Sequence, residues 1–491
     1  MRQPYPRMLA IVCALAVATT TLALADGTTR LAAESPAGER IAADPDVQGA
    51  RRLFTAWLDG QMIERDLPGV AVGVVADQDL VWAAGFGFAD RAAKTAMTPQ
   101  TKFRMASHSK LFTATALMQL REDGKLRLDD PVSRYLPWFK VVPVDSDDPP
   151  ITIEELLTHS SGLPREANAH WTTFEFPTGD ELRELIPERH APYAPEVRWK
   201  YSNLGYSIAG MIVEAVSGQK WADYVQRQIF QPLGMSASSV DRNVPGLAVG
   251  YGRRLPDGTR QINPFIDARG MGAATGVTST VEDMAKFASA QFRTGPRGGA
   301  RILSTGSLRE MHRVRVLENN WTQGNAIGFA VRKAGDRIYV SHGGSYPGYQ
   351  TNTMLWPDGK VAVIVLTNAD DGGPAALATE LMNTVGLAVA KVIKPKEPVV
   401  WDPSWSRFAG LYRGRGGDSR VVEMNKRLVI VSATSANLDN VVQLEPIGDG
   451  QFRYMATAGG GPVGEVVRFV EENGRVTRMI TGDSFVERVD R

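Results

Sequence analysis

Two blocks of strand-like sequence, far apart in the chain, most constrain what it can fold into. The first, residues 69–90 (GVAVGVVADQDLVWAAGFGFAD), holds two β-rich runs around Asp77-Gln78-Asp79. That is the pattern of an antiparallel hairpin. The second, residues 328–368, holds GFAVRKAG, RIYVSHGG, TNTMLWPDG and VAVIVLTN, with a turn at Pro357-Asp358-Gly359. A lone hairpin is marginal in water and needs further strands or a helix to cover it. The two blocks are therefore expected to share one antiparallel sheet. The fold class is α/β, in the sense of an α+β sandwich: an antiparallel sheet flanked by helices, with an all-helical region between the two blocks.

The helical signals lie between and beside the blocks. Candidates run over 48–65 and 374–393. From Ser107 to Glu122 a stripe of Leu111, Thr115, Met118 and Glu122, widened by Phe112, Leu117 and Leu120, predicts an amphipathic helix that stops at Gly124. Ile151 to Leu157 is a short helix with a capping box, Thr152 with Glu155. Ser279-Thr280-Val281-Glu282 is expected to repeat that device.

The ends read differently. Arg2 and Arg7, the short apolar run Met8–Ala18 and Ala23-Leu24-Ala25 have the layout of an export signal over residues 1–25. The run is short for a transmembrane helix, so a cleaved signal is expected rather than an anchor, and a periplasmic or secreted location follows. No later run is expected to span a membrane. Residues 26–47 lack periodicity and read as a flexible leader. Proline-rich residues 394–405 read as a linker after a large first domain at 48–393. Beyond it, residues 406–491 alternate short β segments with Gly, Asn and Asp, as in a small all-β sandwich or barrel.

Composition removes several function classes. Lys plus Arg number 55 and Asp plus Glu 54, so the net charge of +1 does not suit a nucleic-acid protein. The one cysteine, Cys13, lies in the signal-like segment, which leaves the mature chain no disulfide, no thiol nucleophile and no cysteine-ligated zinc. Six scattered histidines make no metal-binding spacing. Gly85-Phe86-Gly87 lacks the following Lys-Ser/Thr of a phosphate loop. No metal or cofactor is called for, and the expected partner is a small molecule or short peptide.

Three short elements carry candidate chemistry. Ser107-His108-Ser109-Lys110 places a hydroxyl and an amine three residues apart at a helix start, where they are neighbours. A serine needs a base to become a nucleophile, and a buried lysine can supply one because burial favours its neutral form. The alternative is an N-cap serine beside a solvated lysine. Ser217-Gly-Gln-Lys220 repeats the spacing at a glycine-marked helix end and is read as structural. Tyr201-Ser202-Asn203 offers a phenol and an amide just before a helix; its plain reading is a cap beside a core tyrosine. His342-Gly343-Gly344-Ser345 lies on a strand where glycines permit close approach; its plain reading is a strand end.

Together these elements resemble the penicillin-recognising serine hydrolases: class C β-lactamases, D-Ala-D-Ala carboxypeptidases, D-aminopeptidases and esterases, with their Ser-x-x-Lys, Tyr-x-Asn and His-x-Gly or Lys-Thr-Gly sets. DLPGVAVGVV (66–75), ITIEELLTHSSGLP (151–164) and ATGVTSTVEDMAKF (274–287) add to the likeness. The resemblance implies a β-lactamase/transpeptidase-like fold. It implies Ser107 as the acylated nucleophile, Lys110 as its base and Tyr201 as a proton shuttle. It also implies Asn203 as the ligand of a substrate carbonyl. His342, Gly343 and Gly344 would line the site, and the N–H groups of Ser107 and Ser345 would form an oxyanion hole. His342 stands where many β-lactamases have lysine. The expected activity therefore shifts towards a peptidase, amidase or esterase, with weak β-lactam turnover or a non-catalytic penicillin-binding sensor as alternatives. His159 is expected to be framework. The last β segments, with FAGLYRG (408–414), resemble lipocalin-like domains appended in this family, which would cover the site or select substrates by size.

Overall fold

The computed structural model describes residues 35–240, 244–293, 301–393, 401–432, 441–448, 450–455 and 463–489. The signal-like segment lies outside them. The chain divides into two compact units, residues up to 394 and residues from 395 on.

The first unit is built on a nine-stranded antiparallel sheet. Its strands are β1 (Gly69–Ala76), β2 (Asp79–Asp90), β3 (Thr95–Ala96), β4 (Val316–Leu317), β5 (Gln323–Asn325), β6 (Ala330–Ala334), β7 (Arg337–Tyr346), β8 (Tyr349–Trp356) and β9 (Val361–Thr367). The order is β3-β2-β1-β9-β8-β7-β6-β5-β4. The two sequence blocks meet where β1 pairs with β9, Val70 opposite Thr367. Both central strands are buried on both faces, which explains their near-continuous apolar runs. Alternation then sorts their side chains. Val361, Val363 and Val365 enter one core; Ala362, Ile364 and Leu366 enter the other.

The first core is closed by α1 (Pro45–Arg65) and by the helical run 374–393. The second holds α2 (Ser109–Glu122), α3 (Asn203–Ser217) and α4 (Val281–Gln291). Two expectations about these helices change. α2 is not amphipathic: eleven of its fourteen residues are buried, because sheet and helices surround it. At α4, Thr280 caps Asp283 N, but the Asp283 carboxylate turns away to Ala237 N and Ser238 Oγ, at 2.8 and 2.9 Å. The box is therefore open there, whereas Thr152 and Glu155 close theirs.

Three boundary readings are also corrected. Within the expected leader, Pro36–Ala43 is a helix: Ser35 Oγ accepts from Gly38 N, proline occupies the first turn, and Ile41 is buried in the core. Two buried residues in one short helix leave no readable period. The stretch Pro374–Ile393 is long and apolar enough by composition to cross a membrane, contrary to the reading that no later run is. Here it is a core helix of the sheet, with Leu377, Leu381, Val385 and Val389 buried. At the end of the expected linker, Pro403–Phe408 forms a 3₁₀ turn, and Trp401 and Trp405 pack on the core of the second unit.

That second unit is a closed eight-stranded antiparallel barrel running from Gly410 to Val489. Phe408, Tyr412, Phe452 and Phe469 meet inside it, with Phe408 and Phe469 stacked at 4.4 Å. A barrel of this strand number is just wide enough for side chains to fill.

Candidate active site

Ser107 sits on a sharp turn rather than in a regular helix. Ala106–His108 is a 3₁₀ turn leading into α2, and Ala106 has φ +50°. A left-handed conformation costs a residue with a Cβ about 1–2 kcal/mol, so surrounding contacts must hold it. Ser109 Oγ donates to Ala106 O and accepts from Val277 N, at 2.7 and 2.9 Å. His108, fully buried, bridges Thr351 and Thr353 of β8, each at 3.0 Å. Burial lowers its pKa to about 3, with His342 adding to the effect. Its role is to tie the turn to the sheet.

The sheet comes very close on the other side. A Cβ on Gly344 would lie 2.3 Å from Met105 O and 2.4 Å from Thr351 Oγ1. A Cβ on Gly343 would meet nothing nearer than 3.4 Å. Of the two glycines, Gly344 is the one the close approach requires, and what approaches is the turn before Ser107.

Lys110 is fully buried. Its Nζ lies 3.2 Å from Ser107 Oγ, 2.7 Å from Asn203 Oδ1 and 3.0 Å from Ala274 O. The rings of Tyr201 and Tyr206 flank it at 4.9 and 5.6 Å. Burial drives its pKa well below the usual lysine value; Glu166 opposes that shift and Arg165 adds to it. Burial moves Tyr201 the other way, up to about 12, despite its hydrogen bond with Ser107. Of the two groups beside the hydroxyl, the amine is the one suited to be neutral and basic.

Tyr201 and Asn203 are set by the loop after the helix Ile153–Thr158. Ser202 caps α3 by accepting from Gly205 N and donates to Pro164 O. His159 Nδ1 accepts from Ser202 N at 3.1 Å, and its ring lies 4.3 Å from that of Tyr201. His159 is framework, as its sequence context indicated. Asn203 does not have a free amide. Its Oδ1 faces Lys110 and its Nδ2 donates to Glu166 Oε1 at 2.6 Å. Glu166 and the Ala274 carbonyl were not singled out from sequence. Both lie in or beside the matched runs SSGLP and ATGVT, yet only folding shows that they meet Lys110 and Asn203.

Beyond Ser341, β7 has β8 on one side and no described strand on the other, because its pairing with β6 ends at Ser341. His342 to Ser345 therefore present a free edge. That edge, Ser107, Tyr201 and Asn203 line one cavity of about 740 Å³, with Leu157, Trp171, Trp199 and Phe329 as apolar wall. His342 is half-buried there. Burial and the nearby Lys110 lower its pKa to about 4, so it is neutral at pH 7. Ser217 and Lys220 lie outside this cavity. Among the described residues no cluster of metal-ligating side chains occurs.

A turn-borne serine, a buried lysine and a tyrosine at the edge of an antiparallel sheet define a serine hydrolase of the penicillin-binding and β-lactamase-like class. The beta-lactamase family model matches residues 54–386, and the chain belongs to that family. Penicillin-binding protein 4* of Bacillus subtilis is 26% identical over 393 residues, 74% of this chain and 83% of that protein. The octameric penicillin-binding protein homologue from Pyrococcus abyssi superposes with a TM-score of 0.62 at 26% identity, over 88% of this chain and 98% of that one. EstCE1, a hydrolase with promiscuous acyltransferase activity, shares the fold with a TM-score of 0.56 at 24% identity, over 73% and 100%.

Proposed function

We propose that this chain hydrolyses small esters or amides through an acyl-enzyme on Ser107. The observation carrying this reading is the environment of Lys110. A neutral amine has two N–H groups and one electron pair. Asn203 Oδ1 and Ala274 O can only accept, so they take the two N–H groups. The electron pair then faces Ser107 Oγ.

The steps follow from that arrangement. Lys110 takes the Ser107 proton as Oγ bonds to the substrate carbonyl carbon. The N–H groups of Ser107 and Ser345 stabilise the oxyanion, a contribution of about 3–4 kcal/mol per donor in such sites. Tyr201 relays the proton from Lys110 to the departing alcohol or amine as its bond to carbon breaks. Water then attacks the ester, gives its proton to the same pair, and releases acid and free serine. An extended acyl group adds to the free edge of β7.

The neutral His342 favours a substrate whose leaving side is uncharged. A second reading, a peptidase acting on a free C-terminal carboxylate, is favoured by one observation: Arg165 lines the cavity with an exposed guanidinium. A panel of short-chain p-nitrophenyl esters, D-amino-acid amides, D-Ala-D-Ala peptides and nitrocefin separates them. We expect ester or amide turnover to lead and Ser107→Ala to abolish it. Preference for D-Ala-D-Ala would select the second reading, fast nitrocefin hydrolysis a β-lactamase, and slow acylation without turnover a sensor. Undiminished activity in Ser107→Ala would overturn the acyl-enzyme. On the strength of residues 1–25 we also assign the chain to an exported compartment; a mature protein starting at Asp26 and recovered outside the cytoplasm is expected, and a full-length protein found in the cytoplasm would overturn this.

A further inference from the structure

Glu166 does not line the cavity, yet its carboxylate governs groups that do. The side chain is 16% exposed. Oε1 accepts from Asn203 Nδ2 at 2.6 Å, with Arg165 Nε at 3.3 Å. Oε2 lies 3.1 Å from Nε2 of the buried His170. Burial pushes this carboxyl up, but His170, Trp171 and Asn203 beside it outweigh burial and hold it below the usual range. It is therefore ionised at neutral pH, and an ionised carboxylate only accepts.

That fixes the Asn203 amide. Its nitrogen must face Glu166, so its oxygen must face Lys110. The reverse orientation would set a carbonyl against a carboxylate and point an N–H at the Lys110 nitrogen. There it would occupy the electron pair that the Ser107 proton needs. We propose that Glu166 is a positioning residue for acylation: it orients the Asn203 amide and through it keeps the electron pair of Lys110 directed at Ser107. This deepens the acyl-enzyme reading and rests on it. It also adds to what Asn203 does: one N–H of its amide is committed to Glu166, and the second is left for a substrate carbonyl in the cavity that Asn203 lines.

Glu166 acts on Lys110 through charge as well. Arg165, His159, His342, Tyr201 and Tyr206 also face the amine. Among these charges, Glu166 alone favours the ammonium form and Arg165 opposes it. Removing the carboxylate should make Lys110 neutral at lower pH.

The test is the rate of Ser107 labelling by a fluorescent fluorophosphonate across pH 4–9, on the full chain, for wild type, Glu166→Gln, Glu166→Asp and Glu166→Ala, with thermal melts of each. In Glu166→Gln the acid limb should move to lower pH, because the carboxylate that favours the Lys110 ammonium form is gone. The maximal labelling rate should fall about tenfold with half-saturation unchanged, because glutamine no longer dictates the Asn203 orientation. Glu166→Ala should lose about a hundredfold, within the range of a misaligned general base. Glu166→Asp should recover part of it. An unmoved acid limb in Glu166→Gln, or wild-type rates in both Glu166→Gln and Glu166→Ala, would overturn the proposal. If alanine unfolds the chain, the near-isosteric glutamine variant decides. Failure of wild type to label at Ser107 would instead sink the acyl-enzyme reading itself.

Discussion

The chain carries Ser-x-x-Lys twice, and the two copies have opposite surroundings. Lys110 is sealed between the sheet and α2, α3 and the Ala274 backbone, where its nitrogen meets a hydroxyl and two carbonyls. Lys220 follows the end of α3, its side chain is 78% exposed, and its nearest carboxylate is Glu214 at 3.6 Å. Ser217 Oγ accepts from Gln219 N in a local turn. The spacing is the same; what differs is solvent. Burial withdraws the water that stabilises an ammonium ion, and that is what suits Lys110 to act as a base.

Replacing each lysine gives the largest expected contrast. Lys110→Met keeps most of the buried volume and removes the base. Ser107 labelling should slow by about 10²–10⁴-fold, while Lys220→Ala labels at the wild-type rate. Similar slowing in both variants would break the comparison.

A second contrast concerns what holds the catalytic copy in place. Gly344→Ala puts a methyl group against Met105 O and Thr351 Oγ1, so the turn bearing Ser107 must shift. Overpacking of this kind costs about 1–3 kcal/mol, and acylation should fall with it. Gly343→Ala has room and should stay near wild type in both urea midpoint and labelling rate. Equal loss in the two variants would mean that glycine flexibility, rather than close approach, is what this strand needs.

The middle of the pattern differs too: His108 in the first copy, Gly218 in the second. His108 is held at about 3 in the fold, below the ordinary value of about 6.5 for an unfolded chain. Below pH 6.5 the unfolded state binds a proton that the folded state refuses. Stability from this group is thus complete above about 6.5 and is lost as pH falls towards 3. His342, held at about 4, acts in the same direction. Thermal midpoints should decline over that window, and His108→Gln should start lower but decline less steeply. An identical slope would remove His108 as a cause.

Much of this was readable in the chain because the readable parts are local. The β-rich apolar runs of β1 and β9 with their turn residues pointed to the sheet, and the Thr152–Glu155 box to its helix. The order of Ser107, Tyr201 and His342 gave the family resemblance. What stayed hidden depends on contacts between distant segments. The roles of Glu166 and Ala274 exist only because loop 159–166, α3 and residues 272–276 converge on one amine. The glycine that matters in His342-Gly343-Gly344 is chosen by Met105, which lies on another element. Asn203 was read from its motif as a substrate ligand; that its amide also links Lys110 to Glu166 shows only once the segments converge. Ala106, an unremarkable alanine in sequence, is held left-handed by the packing of the turn it starts.

The smallest effect concerns whether the second copy contributes anything. An exposed ion pair such as Lys220–Glu214 contributes about 0–1 kcal/mol. The helix end there is already managed by Gly218 at φ +70°, whose N–H donates to Glu214 O. Removing the Ser217 hydroxyl therefore leaves the cap intact. Ser217→Ala and Lys220→Ala should each change the unfolding free energy measured in urea by no more than about 0.5 kcal/mol, and their double variant by the sum, since the two side chains share no hydrogen bond. In the first copy Ser107→Ala abolishes labelling outright, so Lys110→Met, which alone only slows it, can add nothing in that background. Additivity in one copy and its failure in the other would show that only Ser107 and Lys110 work as a pair, and coupling between Ser217 and Lys220 would show that this difference in solvent is not what separates the copies.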